Sequence, residues 1–126
     1  MSGNMKPANA CESDFGIQIV ELQGHSILVL SGDIDVNSAP HLKHSIISIL
    51  DRTDHDLIID MHNVIYMDST GVSTLLSAMK HLSPNGGSLN LVGCSPRIER
   101  ILDITHLSSF IALHENMDDA IEAISE

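Results

Sequence analysis

Apolar residues change their spacing several times along this chain, and each change marks an element. Ile17, Ile19 and Glu21 alternate with Gln18, Val20 and Leu22, and Ser26 to Leu30 is a run of β-branched residues and leucine. The period of two predicts a pair of strands, and Gln23-Gly24-His25 supplies a turn in which glycine tolerates a positive φ. Ser31-Gly32-Asp33-Ile34-Asp35 then reads as a polar loop. Asn37-Ser38-Ala39-Pro40 joins capping side chains to a proline suited to the first helical turn. Leu42, Ile46, Ile49 and Leu50 follow at i, i+4, i+7 and i+8, so a helix with one apolar stripe is expected.

Asp56 to Asp60 predicts a short strand, and its unbroken Leu57-Ile58-Ile59 core suggests a central strand covered on both faces. Val64 to Asp68 reads as a loop that runs into a second helix at Ser69-Thr70. That helix carries Val72, Leu75, Leu76, Met79 and Leu82, and Ser83-Pro84-Asn85-Gly86-Gly87 ends it. Ser88 to Val92 is a further strand, and Ser95-Pro96 opens a short helix with Ile98, Ile101 and Leu102. Ser109 to Leu113 is a last strand, and Asn116 caps a terminal helix whose Met117, Ala120, Ile121 and Ile124 face inward. Strands alternating with helices after an opening hairpin predict an α/β fold. It is a single domain over residues 17–126, a mixed, largely parallel sheet with about four helices packed on it. Met1 to Gly16 has no apolar periodicity and is expected to form a flexible tail.

Composition adds limits. A length of 126 residues fits one domain. Aromatic residues make up 2% and Trp is absent, so the core must be built from Ile, Leu, Val and Met. Six basic residues against 17 acidic ones give a formal charge of −11, which argues against nucleic acid or an anionic membrane surface as partner. No apolar run approaches the roughly 20 residues of a spanning helix, and no basic stretch precedes an apolar signal core, so a cytoplasmic location is expected. Cys11 and Cys94 form neither a CxxC pair nor a metal spacing. In a reducing compartment no disulfide is expected, and Cys94 reads as a small buried apolar residue. His41 and His44 stand at i, i+3, but spacing fixes no third ligand, so neither metal nor cofactor is expected. His55, His62, His81, His106 and His114 are isolated.

Val64-Ile65-Tyr66-Met67-Asp68-Ser69-Thr70-Gly71 places an acid and two hydroxyls at a helix N-terminus. Free backbone N–H groups and the helix dipole favour an anion there, so a phosphate on Ser69 would find the amides of Gly71 and Val72, with Gly71 leaving room. Local sequence also allows Ser69 to be merely an N-cap and Asp68 a loop residue, because Ser and Asp are the commonest capping types.

The order of these features decides more than any one of them. A hairpin, a Gly32-Asp33-Ile34-Asp35 loop, a helix, a strand and then Met67-Asp68-Ser69-Thr70-Gly71 opening a helix resembles the sulphate-transporter and anti-sigma-factor-antagonist (STAS) domain, in particular its small bacterial anti-sigma factor antagonists. Gly86-Gly87 before a strand, Ser95-Pro96 opening a helix, and Ile101-Leu102-Asp103-Ile104-Thr105-His106-Leu107 extend the likeness from roughly Ile17 to the C-terminus. The resemblance implies phosphorylation at Ser69 by a serine-protein kinase that is also the anti-sigma factor. The unphosphorylated form would bind that kinase and release a sigma factor, and a phosphatase would restore it. The chain would then have no catalysis of its own, the nucleotide belonging to the kinase. The implied docking residues are Gly32, Asp33, Asp35, Asp68, Ser69, Thr70 and Gly71, with the exposed face of the second helix. Asp35 is expected in an exposed loop near Ser69, the alternative being a residue that opens the helix.

Two other functions remain to be weighed. One is a STAS module of another regulatory, sensor or transport complex. The other is a small hydrolase using Ser69 with a histidine and Asp68 or Asp35; here no histidine has a context that brings it near, and a Gly-x-Ser-x-Gly elbow is missing.

Overall fold

The computed structural model describes residues 15–51 and 56–124. Strand β1 (Gly16–Leu22) and strand β2 (His25–Ile34) form the antiparallel hairpin that the alternation predicts. Only Gln23 and Gly24 connect them, with φ of 52° and 83°, the doubly left-handed turn whose twist suits a two-residue hairpin. Strand β3 (Leu57–Met67), strand β4 (Leu89–Val92) and strand β5 (Ala112–His114) continue the sheet in the order β1-β2-β3-β4-β5, each parallel to its neighbour from β2 onward. Four helices connect or follow them: α1 (Ala39–Leu50), α2 (Ser69–Leu82), α3 (Pro96–Ile104) and α4 (Met117–Ile124).

Alternate residues of the strands feed two cores. Leu28, Leu30, Leu57, Ile59, Leu89 and Leu91 pack with Leu42, Ile46 and Ile49 of α1, Leu75 and Leu82 of α2, and Ile98 and Leu102 of α3. Ile27, Ile58 and Val92 pack instead with Ala120 and Ile121 of α4, with Met117 and Ile124 at the margin. The Leu57-Ile58-Ile59 run is thus split between both cores, as a central strand requires. Asn116 Oδ1 accepts the Asp119 amide at 2.9 Å and caps α4.

Several boundaries differ from the sequence reading. Gly16 pairs with Ser31, and Phe15 packs against the larger core, so both belong to the folded domain rather than to a tail. The tail expected for the residues before Phe15 lies outside the described residues, as do Cys11 and His55. Ser31 to Ile34 belongs to β2 rather than to a loop, and β3 runs on from Asp60 to Met67. The cause is parallel pairing: Ser31, Gly32, Asp33 and Ile34 stand opposite Asn63, Val64, Tyr66 and Met67. Two register shifts give β3 two extra residues over this stretch, so its inward side chains Met61, Val64 and Met67 recur every third residue. The last strand also begins later than Ser109. Phe110 and Ile111 donate to the Leu107 carbonyl, closing a 3-10 turn over Leu107–Ser109 that buries Leu107 and Ile111.

Candidate functional site

Strands β2 and β3 end side by side, Ile34 opposite Met67, and the Asp68 amide donates to the Ile34 carbonyl at 3.0 Å. Asp68 itself is extended (φ −103°, ψ −168°) and caps α2. Its Oδ1 accepts the Thr70 amide at 2.9 Å, the Gly71 amide at 3.3 Å and the Thr70 hydroxyl. Its carbonyl accepts the Val72 amide at 3.1 Å. The Thr70 hydroxyl, followed by the Gly71 and Thr70 amides, holds the Asp68 carboxyl below its ordinary 3.8, against the opposing effect of partial burial.

The capping role therefore falls to Asp68, and Ser69 is the first helical residue. Its side chain is exposed and makes no hydrogen bond among the described residues. The expected phosphate cradle is already filled, because Asp68 occupies the amides of Thr70, Gly71 and Val72. Gly71 also has another purpose than leaving room for an anion. It is buried, and a Cβ there would lie 2.5 Å from Met67 Cγ and 2.7 Å from Ile34 Cγ2. Its missing side chain lets α2 seat on the ends of β2 and β3.

The other half of the site is Gly32 to Asp35. Gly32 takes φ 91° at the second register shift, a conformation that strains any L side chain. Asp33 stands opposite Tyr66. Asp35 Oδ1 accepts the amides of Asn37 at 2.9 Å and Ser38 at 3.1 Å. Buried Ser38 accepts the Asp35 amide at 2.9 Å and donates to the Asp33 carbonyl at 2.7 Å. Asp35 is half-buried and opens α1, the alternative reading of this residue, rather than hanging free in a loop.

The structure brings the two segments together and adds neighbours that the sequence reading missed. Val36, Ala39, Pro40 and Lys43 face Thr70, Ser73 and Thr74 across an open groove between α1 and α2. Val36 is 65% exposed and Ile65 66%, with Tyr66 beside it also exposed, so apolar side chains flank the acids and hydroxyls. The available signal was an apolar residue inside the polar stretch from Asp35 to Asn37, and an apolar pair between the inward Val64 and Met67.

The remaining candidates stay outside this site. Among the described residues no group of three or more His, Cys, Asp or Glu side chains could hold a metal ion. His62 Nδ1 lies 2.7 Å from Asp60 Oδ1, and His114 Nε2 lies 3.0 Å from Asn90 Oδ1. Neither ring is hydrogen-bonded to Ser69. Cys94 is partly buried against the larger core, and burial together with the Glu99 charge pushes its thiol up to about 12. Among the described residues no helix is long and apolar enough to cross a membrane.

Comparison with known proteins gives a consistent result. Residues 16–120 match the family described as the STAS domain. An anti-sigma-B factor antagonist of Bacillus subtilis is 34% identical over 93 residues, covering 74% of this chain and 84% of that protein. One of Staphylococcus epidermidis with the same name is 33% identical over 89 residues, covering 71% and 82%. The crystal structure of an anti-sigma factor antagonist from Mycobacterium paratuberculosis superposes with a TM-score of 0.81 at 26% identity, covering 89% of this chain and 95% of that one.

Proposed function

This chain belongs to the STAS domain family, and from that premise we propose that it is an anti-sigma factor antagonist whose switch is Ser69. The unphosphorylated protein binds an anti-sigma factor that is also a serine kinase, and a sigma factor is released. Transfer of phosphate to Ser69 ends the binding, and a phosphatase restores it. The docking surface comprises Gly32, Asp33, Asp35, Asp68, Ser69, Thr70 and Gly71, together with the exposed face of α2. The likeness to the named antagonists supports the general role.

The observation that carries the finer reading is the state of Ser69: an exposed hydroxyl with no internal partner among the described residues, at the first position of α2, beside acids and an apolar rim. A side chain so placed is open to a kinase and central to any partner that covers this end of the sheet. A phosphate there adds roughly −1.5 to −2 charges. Because Asp68 already occupies the neighbouring amides, the helix end gives little back, and the new charge is felt by the partner. Like-charge or desolvated contact across an interface can cost several kcal/mol. The hydrolase reading gains no support, since no histidine among the described residues is hydrogen-bonded to Ser69.

The test compares wild type, phosphorylated wild type and Ser69→Ala by calorimetric titration against the purified kinase. Ser69→Ala binds like wild type and accepts no phosphate, whereas the phosphorylated form binds at least tenfold more weakly with a nearly unchanged melt. Phosphate entering Ser69→Ala at the wild-type rate would overturn the assignment of the acceptor.

A further inference from the structure

Two adjacent hydroxyls, Ser69 and Thr70, open α2, and a kinase that reaches one is within a residue of the other. Their surroundings are opposite. Ser69 is exposed, with no hydrogen-bond partner among the described residues, while Thr70 is half-buried, with its amide and its hydroxyl both donated to Asp68 Oδ1. We propose that Asp68 selects Ser69 over Thr70 as the phosphate acceptor by holding the Thr70 hydroxyl as a donor to its own carboxylate. The inference rests on the reading of Ser69 as a kinase substrate and adds a reason for the choice of site.

The chemistry gives the hydrogen bond its effect. In the transfer, a hydroxyl oxygen bonds to the γ-phosphorus of ATP while the bond from that phosphorus to the bridging oxygen breaks. ADP leaves with that electron pair, and the hydroxyl proton passes to a general base of the kinase. The Ser69 hydroxyl can turn its proton to such a base. The Thr70 side chain is held toward Asp68 by a bond to an ionised carboxylate, one of the strong ones, so its oxygen is kept from turning toward a γ-phosphorus brought by the kinase. To react, Thr70 must break that bond and rotate a β-branched side chain that has few alternatives in a helix. Asp68 is thus a positioning residue that acts through Thr70.

Full-length variants would be incubated with the purified kinase and ATP, and phosphosites mapped by tandem mass spectrometry. Wild type carries phosphate on Ser69, and Ser69→Ala carries almost none. Adding Asp68→Ala to Ser69→Ala frees Thr70 and raises its phosphorylation roughly tenfold, equivalent to about 1.4 kcal/mol. Asp68→Asn, whose side-chain oxygen still accepts the Thr70 hydroxyl, returns the rate to that of Ser69→Ala. Amide exchange at Thr70 and Gly71, read in the same variants, reports loss of the helix cap separately from release of the Thr70 hydroxyl. Equal Thr70 phosphorylation in the Ser69→Ala protein and in the double variant that adds Asp68→Ala, both shown folded by circular dichroism, would overturn the selection. A kinase-independent measurement separates this from the functional reading. By NMR the Thr70 hydroxyl proton exchanges slowly with water in wild type and fast in Asp68→Ala. Fast exchange in wild type sinks the inference alone, whereas no phosphate on wild-type Ser69 sinks the functional reading.

Discussion

Replacing Gly71 by alanine sets two known effects against each other. Alanine is the better helix former by about 1 kcal/mol. Its methyl group, however, would sit 2.5 Å from Met67 Cγ and 2.7 Å from Ile34 Cγ2, where carbon atoms normally keep about 3.5–4.0 Å. Relief requires a shift of about 1 Å. Ile34 is fully buried and β-branched, so it has little room to turn, and Met67, though more adaptable, meets the new methyl close to its own backbone. Overpacking of this kind costs about 1–3 kcal/mol, and contact with two buried residues places Gly71→Ala at the upper end. The net loss is about 1–2 kcal/mol, or roughly 4–8 °C in Tm for a domain of this size. Urea denaturation followed by far-ultraviolet circular dichroism measures it without a tryptophan. In a Met67→Ala background the same substitution loses less, with a coupling of about 0.5–1 kcal/mol. A Gly71→Ala protein as stable as wild type would refute the argument, because helix propensity would then have won and the helix would not be seated as tightly as described.

Asp68→Ala removes an N-cap and lowers stability by about 1 kcal/mol at neutral pH. Because the folded carboxyl titrates below 3.8, its contribution is present above that value and is lost as pH falls through the folded one. The Tm gap between the two proteins is therefore full at about pH 6 and closes toward pH 2; a constant gap would contradict the linkage. Asp35→Ala loses the hydrogen bonds to Asn37 and Ser38 and melts lower by an amount matching about 1 kcal/mol as well as binding the kinase less tightly. An unchanged melt would return Asp35 to a purely docking role. Native Cys94, with its thiol at about 12, reacts with iodoacetamide at pH 8 about a thousandfold more slowly than an ordinary cysteine. Rapid labelling at this site, resolved by peptide mapping, would show that the thiol is not buried as described.

The hairpin, the central Leu57-Ile58-Ile59 strand and the apolar stripe of α1 were legible because each keeps a regular period from end to end. The second half of β3 was not. Its Met61, Val64 and Met67 face inward at intervals of three, a spacing that belongs to neither a strand nor a helix, and it arises only from pairing with a strand far earlier in the chain. The site shows the same division. Asp68-Ser69-Thr70-Gly71 was readable as a unit from its residue types. The choice of Asp68 as cap was not, since both Asp and Ser suit the position and the decision lies in where β3 stops. Gly71 shows the difficulty most sharply: local sequence offers a space beside the hydroxyls, whereas tertiary packing fills that side with Ile34 and Met67.

β3 is also held unequally along its length. From Leu57 to Asp60 it lies between two strands, but from Asn63 to Met67 its only strand partner among the described residues is β2. Native-state hydrogen exchange is expected to place the first segment in the last structure to open, and the second at lower free energy together with the end of β2 and the first turn of α2. A protein built this way can loosen around Asp68 and Ser69 without melting its centre. Ser69 is exposed already, so such loosening changes only how firmly the turn that carries it is held, and the stability of the whole domain does not set that firmness.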